Sequence, residues 1–200
     1  MIAIRLCRYI FAVNFALKLS SLGATAFITS NFKTCRSVFA VAQWFDSKAT
    51  LNIPVAPSRV FDSFSKLNEH PKWSPWLDKV DYDSSSGISV WTLKTLGLVY
   101  KWRANNTIIE SPHIIQWESI DGFPNRGKVT FTSSDNTNTN TLVDLTVSFD
   151  LPSAGVYVVE QFGTVRKFVD ATLLSDLRRF KMRLLREIRE ERLQRMKDPL

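Results

Sequence analysis

Side chains that carry most enzyme chemistry are sparse in this sequence. His70 and His113 are the only histidines. They lie far apart, and neither has a second His or a Cys at metal-ligand spacing, so no metal site is expected. His70 precedes Pro71 and is expected in a surface loop, where an imidazole titrating near neutrality could give or take a proton. His113 follows Pro112 and is expected exposed in a turn. Both cysteines, Cys7 and Cys35, lie in the first forty residues. A chain cleaved beyond them keeps no thiol nucleophile, disulfide or thiolate ligand. No glycine-rich phosphate loop, no Gly-x-Ser-x-Gly elbow and no internal repeat is present. Catalytic residues and cofactors are therefore expected to be none.

Three polar groups remain of interest: Arg103, Glu118 and Arg126. Strand alternation points Arg103 and Glu118 away from Trp102 and Trp117, which predicts a cross-strand ion pair on a solvated face. Arg126 sits in the Pro124-Asn125-Arg126-Gly127 turn, where it either orients a ligand carbonyl or braces the loop. The aromatic load is heavier, with 6 tryptophans in 200 residues. An indole joins a large apolar area to one N–H donor, so it suits a core and a ligand pocket alike. For Trp73, Trp76 and Trp91, core packing is a sufficient role. Trp102 and Trp117, on adjacent expected strands, are placed on a concave face with Phe131, Leu145 and Val147. Phe162, Val165, Val169 and Leu173 are expected to face them from a helix. These nine residues and Arg126 are the candidate ligand-binding set.

The elements that would position them follow from periodicity. Trp44 to Ile53 alternates as a half-buried strand. After Pro54 to Pro57, Ser58 is expected to cap a short helix carrying Val60, Phe61, Phe64 and Leu67. Asn68 to Val80, broken by Pro71 and Pro75, reads as a broken helix or ordered loop leading into a strand near Lys79 to Asp83. Strand-like runs then cover Ser89 to Leu96, Val99 to Ile109, Ile114 to Ile120, Gly127 to Ser133 and Val143 to Phe149, separated by turns that include Gly97 and Asp121 to Asn125. From Thr164 to Asp198 no proline or glycine interrupts the chain, and Val158, Phe162, Val165, Val169, Leu173, Leu177, Phe180, Leu184 and Ile188 recur every three or four residues. That is one long terminal helix, expected to leave the core near Leu185. The fold class is α+β: an antiparallel sheet with one apolar face, covered by the only long apolar stripe available. If the sheet curves around the helix, the space between them can hold a ligand.

The formal net charge of +7 would ordinarily suggest a nucleic-acid partner. The charge is unevenly placed, however. Arg5, Arg8, Lys18, Lys33 and Arg36 lie in an acid-free stretch, and removing those five from 26 basic residues leaves 21 against 19 acidic. No nucleic-acid partner is expected of so balanced a body.

Four stretches resemble the START-like (SRPBCC) superfamily, and within it the polyketide cyclase/dehydrase and coenzyme-Q-binding lipid-transport branch of cyanobacteria and plastids. They are Ile53-Pro54-Val55-Ala56-Pro57-Ser58-Arg59-Val60-Phe61, Pro71-Lys72-Trp73-Ser74-Pro75-Trp76, the run from Ile115 through Trp117-Glu118-Ser119 to Pro124-Asn125-Arg126-Gly127, and the helix bearing Leu173, Asp176, Leu177 and Phe180. The resemblance extends from Ala49 to Phe180. It implies a helix-grip fold, a curved antiparallel sheet wrapped around a long C-terminal helix. It also implies a protein that binds or carries a lipid, prenylquinone or related apolar metabolite.

A second implied function is a polyketide-cyclase-like aldol or dehydration enzyme, which would need at least two of Arg103, Arg126, His70 and Glu118 in one cavity. A third, read from charge, is an interaction module whose basic terminal helix makes transient contact with an acidic membrane surface or RNA. Against it, Glu187, Glu190 and Glu191 are interspersed among the arginines. The expected organisation is a cleavable organelle-targeting leader at 1–42, a ligand-binding domain at 43–185 and a charged helical tail at 186–200. The leader is basic and rich in Ser and Thr, and Ala24-Thr25-Ala26-Phe27 resembles the junction motif of proteins imported into complex plastids. Plastid stroma is the first expectation, mitochondrial matrix the second and secretion the third.

Overall fold

The period-two segments form seven strands: β1 (Gln43–Ile53), β2 (Leu77–Asp83), β3 (Ile88–Thr95), β4 (Leu98–Glu110), β5 (Ile114–Asp121), β6 (Asn125–Ser133) and β7 (Thr141–Leu151). This computed structural model describes residues 43–95, 98–151 and 159–197. The leader, the Gly97 turn and the segment 152–158 lie outside the described residues. All pairings are antiparallel, in the order β1-β7-β6-β5-β4-β3-β2. Strands β2 to β7 are thus a meander of successive neighbours, and β1 returns from the start of the domain to close against β7. That last ladder runs unbroken from Gln43 opposite Leu151 to Ile53 opposite Thr141. Its register follows from burial: Ser47, Ala49 and Ile53 of β1 and Val143, Leu145 and Val147 of β7 are all buried, so one slip would turn every one of them outward.

Two short helices follow β1, α1 (Pro57–Phe64) and a 3₁₀ turn (Leu67–Lys72). α1 starts one residue before the expected cap. Pro57 occupies its first turn and Ala56 is the N-cap, so Ser58 lies inside the helix. A proline costs nothing there, since the N–H it lacks would have had no helical partner and its φ is already set. Val60, Phe61 and Phe64 point inward, as their spacing requires. The terminal helix, α2 (Val159–Lys197), is the longest element. Its stripe of Leu173, Leu177, Phe180 and Leu184 is buried against the sheet and α1, each side chain contributing about 1.5–3 kcal/mol when fully removed from water. The helix stays docked beyond Leu185: Ile188 still packs on the core, and Glu191 is paired with Arg59 of α1.

α2 also seals the exposed edge of β1, where unpaired backbone groups would otherwise invite another strand. The Lys48 amide donates to Asp170 Oδ1 at 2.8 Å, and Lys181 Nζ donates to the Asn52 carbonyl at 2.9 Å. At its middle, Asp176 is 3% exposed and accepts from Ser74 Oγ at 2.7 Å, Trp76 Nε1 at 2.6 Å and Arg179 Nη1 at 2.6 Å. One buried carboxylate thereby ties the Trp73–Trp76 turn to the helix.

Candidate functional site: an aromatic seam on the inner face

The inner face of the sheet carries two apolar clusters rather than one continuous core. The larger joins β1, β5, β6 and β7 to α1 and α2, with Ala49, Ile53, Ile115, Val129, Phe131, Val143, Leu145 and Val147 beneath Leu173, Leu177, Phe180 and Leu184. It is closed by rings: Phe64 lies 5.4 Å from Phe180, 5.6 Å from Phe131 and 5.7 Å from Trp73. The smaller cluster lies under β2, β3 and β4, with Leu67, Leu77, Val80, Leu93, Trp102 and Ala104. There Trp91 stacks on Trp102, centroids 5.9 Å apart and planes at 11°. Among the described residues Trp117 is the one partly buried apolar side chain packed against both clusters. Trp91, Tyr100 and Phe123 of the smaller cluster and Phe149 of the larger are likewise only partly buried, and Phe123 meets Phe149 at 5.6 Å. Trp117 and the Phe123–Phe149 contact, which touch both clusters, are the seam between them.

A backbone detail fixes Trp117. It pairs with Gly127 across β5 and β6, and a Cβ on that glycine would lie 1.9 Å from Cζ2 of the indole. The ring therefore lies over a site that has no side chain, and any other residue at 127 would displace it. The turn between the two strands is equally tight: Gly122 has φ +80°, and a Cβ there would stand 2.6 Å from the Lys101 carbonyl. Glycine is required at both positions, one for a close approach and one for a left-handed backbone.

Of the ten candidate residues, Trp102, Trp117, Phe131, Leu145, Val147, Val169 and Leu173 belong to the two inner clusters. Phe131 lies deep in the closed part, 1% exposed and wedged 5.5 Å from Phe61. The side chains of Phe162 and Val165 lie outside the described residues. Arg126 does not join the set. It is exposed on the outer face, opposite Ser148 and Glu118, with its guanidinium 4.3 Å above the Trp44 ring. Of its two expected roles, that position fits bracing.

The remaining polar groups do not converge either. Arg103 pairs with Asp121 at 2.6 Å, not with Glu118, because the β4–β5 ladder slips between Arg103 and Ala104. The contact raises the Arg103 pKa and lowers that of Asp121, on an exposed surface. His70, expected at the surface, is 5% exposed. Its ring is enclosed by Phe64, Trp73 and Trp91, and Nε2 donates to the Phe64 carbonyl at 2.8 Å. Burial lowers its pKa to about 4, so it stays neutral and serves as a structural donor. Burial pushes the Asp176 carboxyl upward even against its three donors. Among the described residues no group of His, Cys, Asp and Glu could hold a metal ion.

One inner polar group was missed in the sequence. Ser47 is 0% exposed and its hydroxyl has no hydrogen-bond partner among the described residues. It shares parity with Phe45 and Ala49, which was signal enough to place it inside. A buried hydroxyl left unpaired is costly and calls for a bonding partner.

Comparison with known proteins agrees with this architecture. A START superfamily protein from Mycobacterium smegmatis superposes with TM-score 0.57 at 11% identity, over 70% of this chain and 97% of that one. An aromatase/cyclase, Zhui from Streptomyces sp. R1128, gives TM-score 0.57 at 14% identity, over 73% and 96%. A protein from Thermus thermophilus gives 0.59 at 19%, over 71% and 98%. Such identities establish the START-like helix-grip fold and leave chemistry open. No curated protein matches the chain. The polyketide cyclase/dehydrase and lipid transport family matches residues 53–172, from the end of β1 into α2, and the chain belongs to that family.

Proposed function

We propose that this protein binds and carries an apolar small molecule, a lipid, prenylquinone or similar metabolite, on the inner face of the sheet beside Trp117. The observation that carries the reading is the seam: Trp117 packs against both apolar clusters while only partly buried, and Phe123 and Phe149, also partly buried, meet between them. An apolar ligand laid there would remove ring surface from water at about 25 cal/mol per Å². Ser47 offers such a ligand one buried hydroxyl. A cyclase reading has less support, because Arg103, Glu118 and Arg126 lie on the outer face and His70 is enclosed by rings. The acid-free leader supports delivery to an organelle, the plastid first.

Native mass spectrometry of the full chain, followed by solvent extraction of whatever it holds, tests the proposal. One apolar molecule per chain is the expected result. A chain that purifies empty, and stays empty after exposure to extracted organelle lipids, would overturn it.

A further inference from the structure

The glutamates of α2 are not distributed as their spacing in sequence suggests. Glu191 is paired with Arg59, Glu187 with Arg183, and Glu69 of the 3₁₀ turn with both Lys72 and Arg183. Glu191 through its pair with Arg59, and Glu187 and Glu190 by lining one groove with Arg59 and Ser63, lie on the flank of the helix that faces α1. The opposite flank carries Arg178, Met182, Arg186, Arg189, Leu193 and Met196, spaced by three and four residues along one stripe that contains no acid. All six are exposed or half-buried, with Met182 at 62%, Leu193 at 44% and Met196 at 70%. Arg178, Arg186 and Arg189 form no ion pair among the described residues. The stripe begins beyond residue 172, where the family match ends.

Two neighbours extend this face. Lys72, Arg178, Arg179, Met182, Arg183 and Arg186 together line an open depression of about 360 Å³, with Lys72 and Arg183 paired to Glu69. Beside it Trp76 is 38% exposed, held by its bond to Asp176, which also holds Arg179. An indole at the rim of a cationic, apolar-studded surface is the arrangement that anchors proteins at the water–lipid boundary.

We propose that the solvent face of α2 from Arg178 to Met196, with Lys72 and Trp76 at its rim, docks the protein on a bilayer rich in anionic headgroups. Charge complementarity supplies the attraction, and the exposed Met182, Leu193 and Met196 supply the reason to prefer a bilayer over RNA. Apolar side chains between arginines gain by entering the headgroup–acyl boundary but gain nothing against a phosphodiester backbone. Among the described residues no helix is long and apolar enough to cross a membrane. The docking face also serves the carrier reading, by bringing the seam to a source of apolar ligand, but does not depend on it.

Flotation of the full chain with phosphatidylglycerol/phosphatidylcholine vesicles tests the proposal, with pure phosphatidylcholine vesicles and duplex RNA alongside. Because the leader is itself basic, the decisive comparison is between variants of the whole chain. Arg178→Gln/Arg186→Gln/Arg189→Gln removes no ion pair and should leave the melting temperature unchanged while weakening vesicle binding roughly a hundred-fold, from three cations near an anionic surface. Met182→Ser/Leu193→Ser/Met196→Ser keeps every charge and should weaken it roughly ten-fold. Unchanged vesicle affinity in either variant overturns the proposal, as does tighter binding to RNA than to vesicles. Native mass spectrometry of the Gln variant keeps the two readings apart, because loss of docking with ligand retained bears only on the helix face.

Discussion

The two ends of the inner face are built from the same sheet and differ in what covers them. At one end α1, the 3₁₀ turn and the second half of α2 press Phe61, Phe64, Trp73 and Phe180 onto Phe131 and Val129, and the rings close on each other. At the other, Trp117, Phe123 and Phe149 are only partly buried. On the proposed carrier reading, the closed aromatic cluster holds the fold and the partly buried one is where a ligand would lie.

Substitutions should separate these roles, with the largest effect at the closed end. Phe131→Ala should cost about 3–5 kcal/mol in urea unfolding, through lost transfer energy and the cavity left among Phe61 and Phe64. A value near ~1 kcal/mol would mean that this end is as loose as the seam. Acid should act on the same end through His70. Its folded pKa of about 4 lies below the ordinary 6.5, so the unfolded chain binds the proton more readily. The stability it contributes is present above pH 6.5 and lost as pH falls toward 4, about 3 kcal/mol in all. Asp176, with its pKa raised by burial, has the opposite sign: its contribution is present below the ordinary carboxylate range and lost as pH rises. The difference between wild type and His70→Phe isolates the histidine, and the variant's stability should be flatter between those limits.

At the seam, Gly127→Ala should displace Trp117, cost about 1–3 kcal/mol and reduce ligand occupancy, read by unfolding and indole fluorescence. Ser47→Ala separates two cases. If the hydroxyl serves the ligand, affinity falls with stability unchanged or improved. If it does not, only the stability gain from removing an unpaired polar atom remains. The smallest effect is expected on the outer face, where Arg103→Ala should leave the melting temperature unchanged despite its close contact with Asp121.

Strand parity in the sequence was sufficient to place Trp102, Trp117, Leu145 and Val147 on the inner face, because antiparallel strands with one buried face alternate strictly. It failed where the ladder is irregular. Simple alternation cannot foresee the β4–β5 slip that brings Asp121, rather than Glu118, to Arg103. It failed also where burial comes from other elements: His70 looks like a loop residue beside Pro71, and the rings of Phe64 from α1, Trp73 and Trp91 from β3 make it an interior one. The charges of α2 were visible as composition, but the pairing of Glu191 with Arg59 of α1 and of Arg183 with Glu69 of the 3₁₀ turn is tertiary.

The central claim is that an apolar ligand is held beside Trp117, and native mass spectrometry of wild type and Trp117→Ala, purified identically, tests it most directly. The account predicts one bound apolar molecule per wild-type chain and little or none on a folded Trp117→Ala variant. Equal occupancy in both, or none in the wild type after lipid exposure, would contradict it.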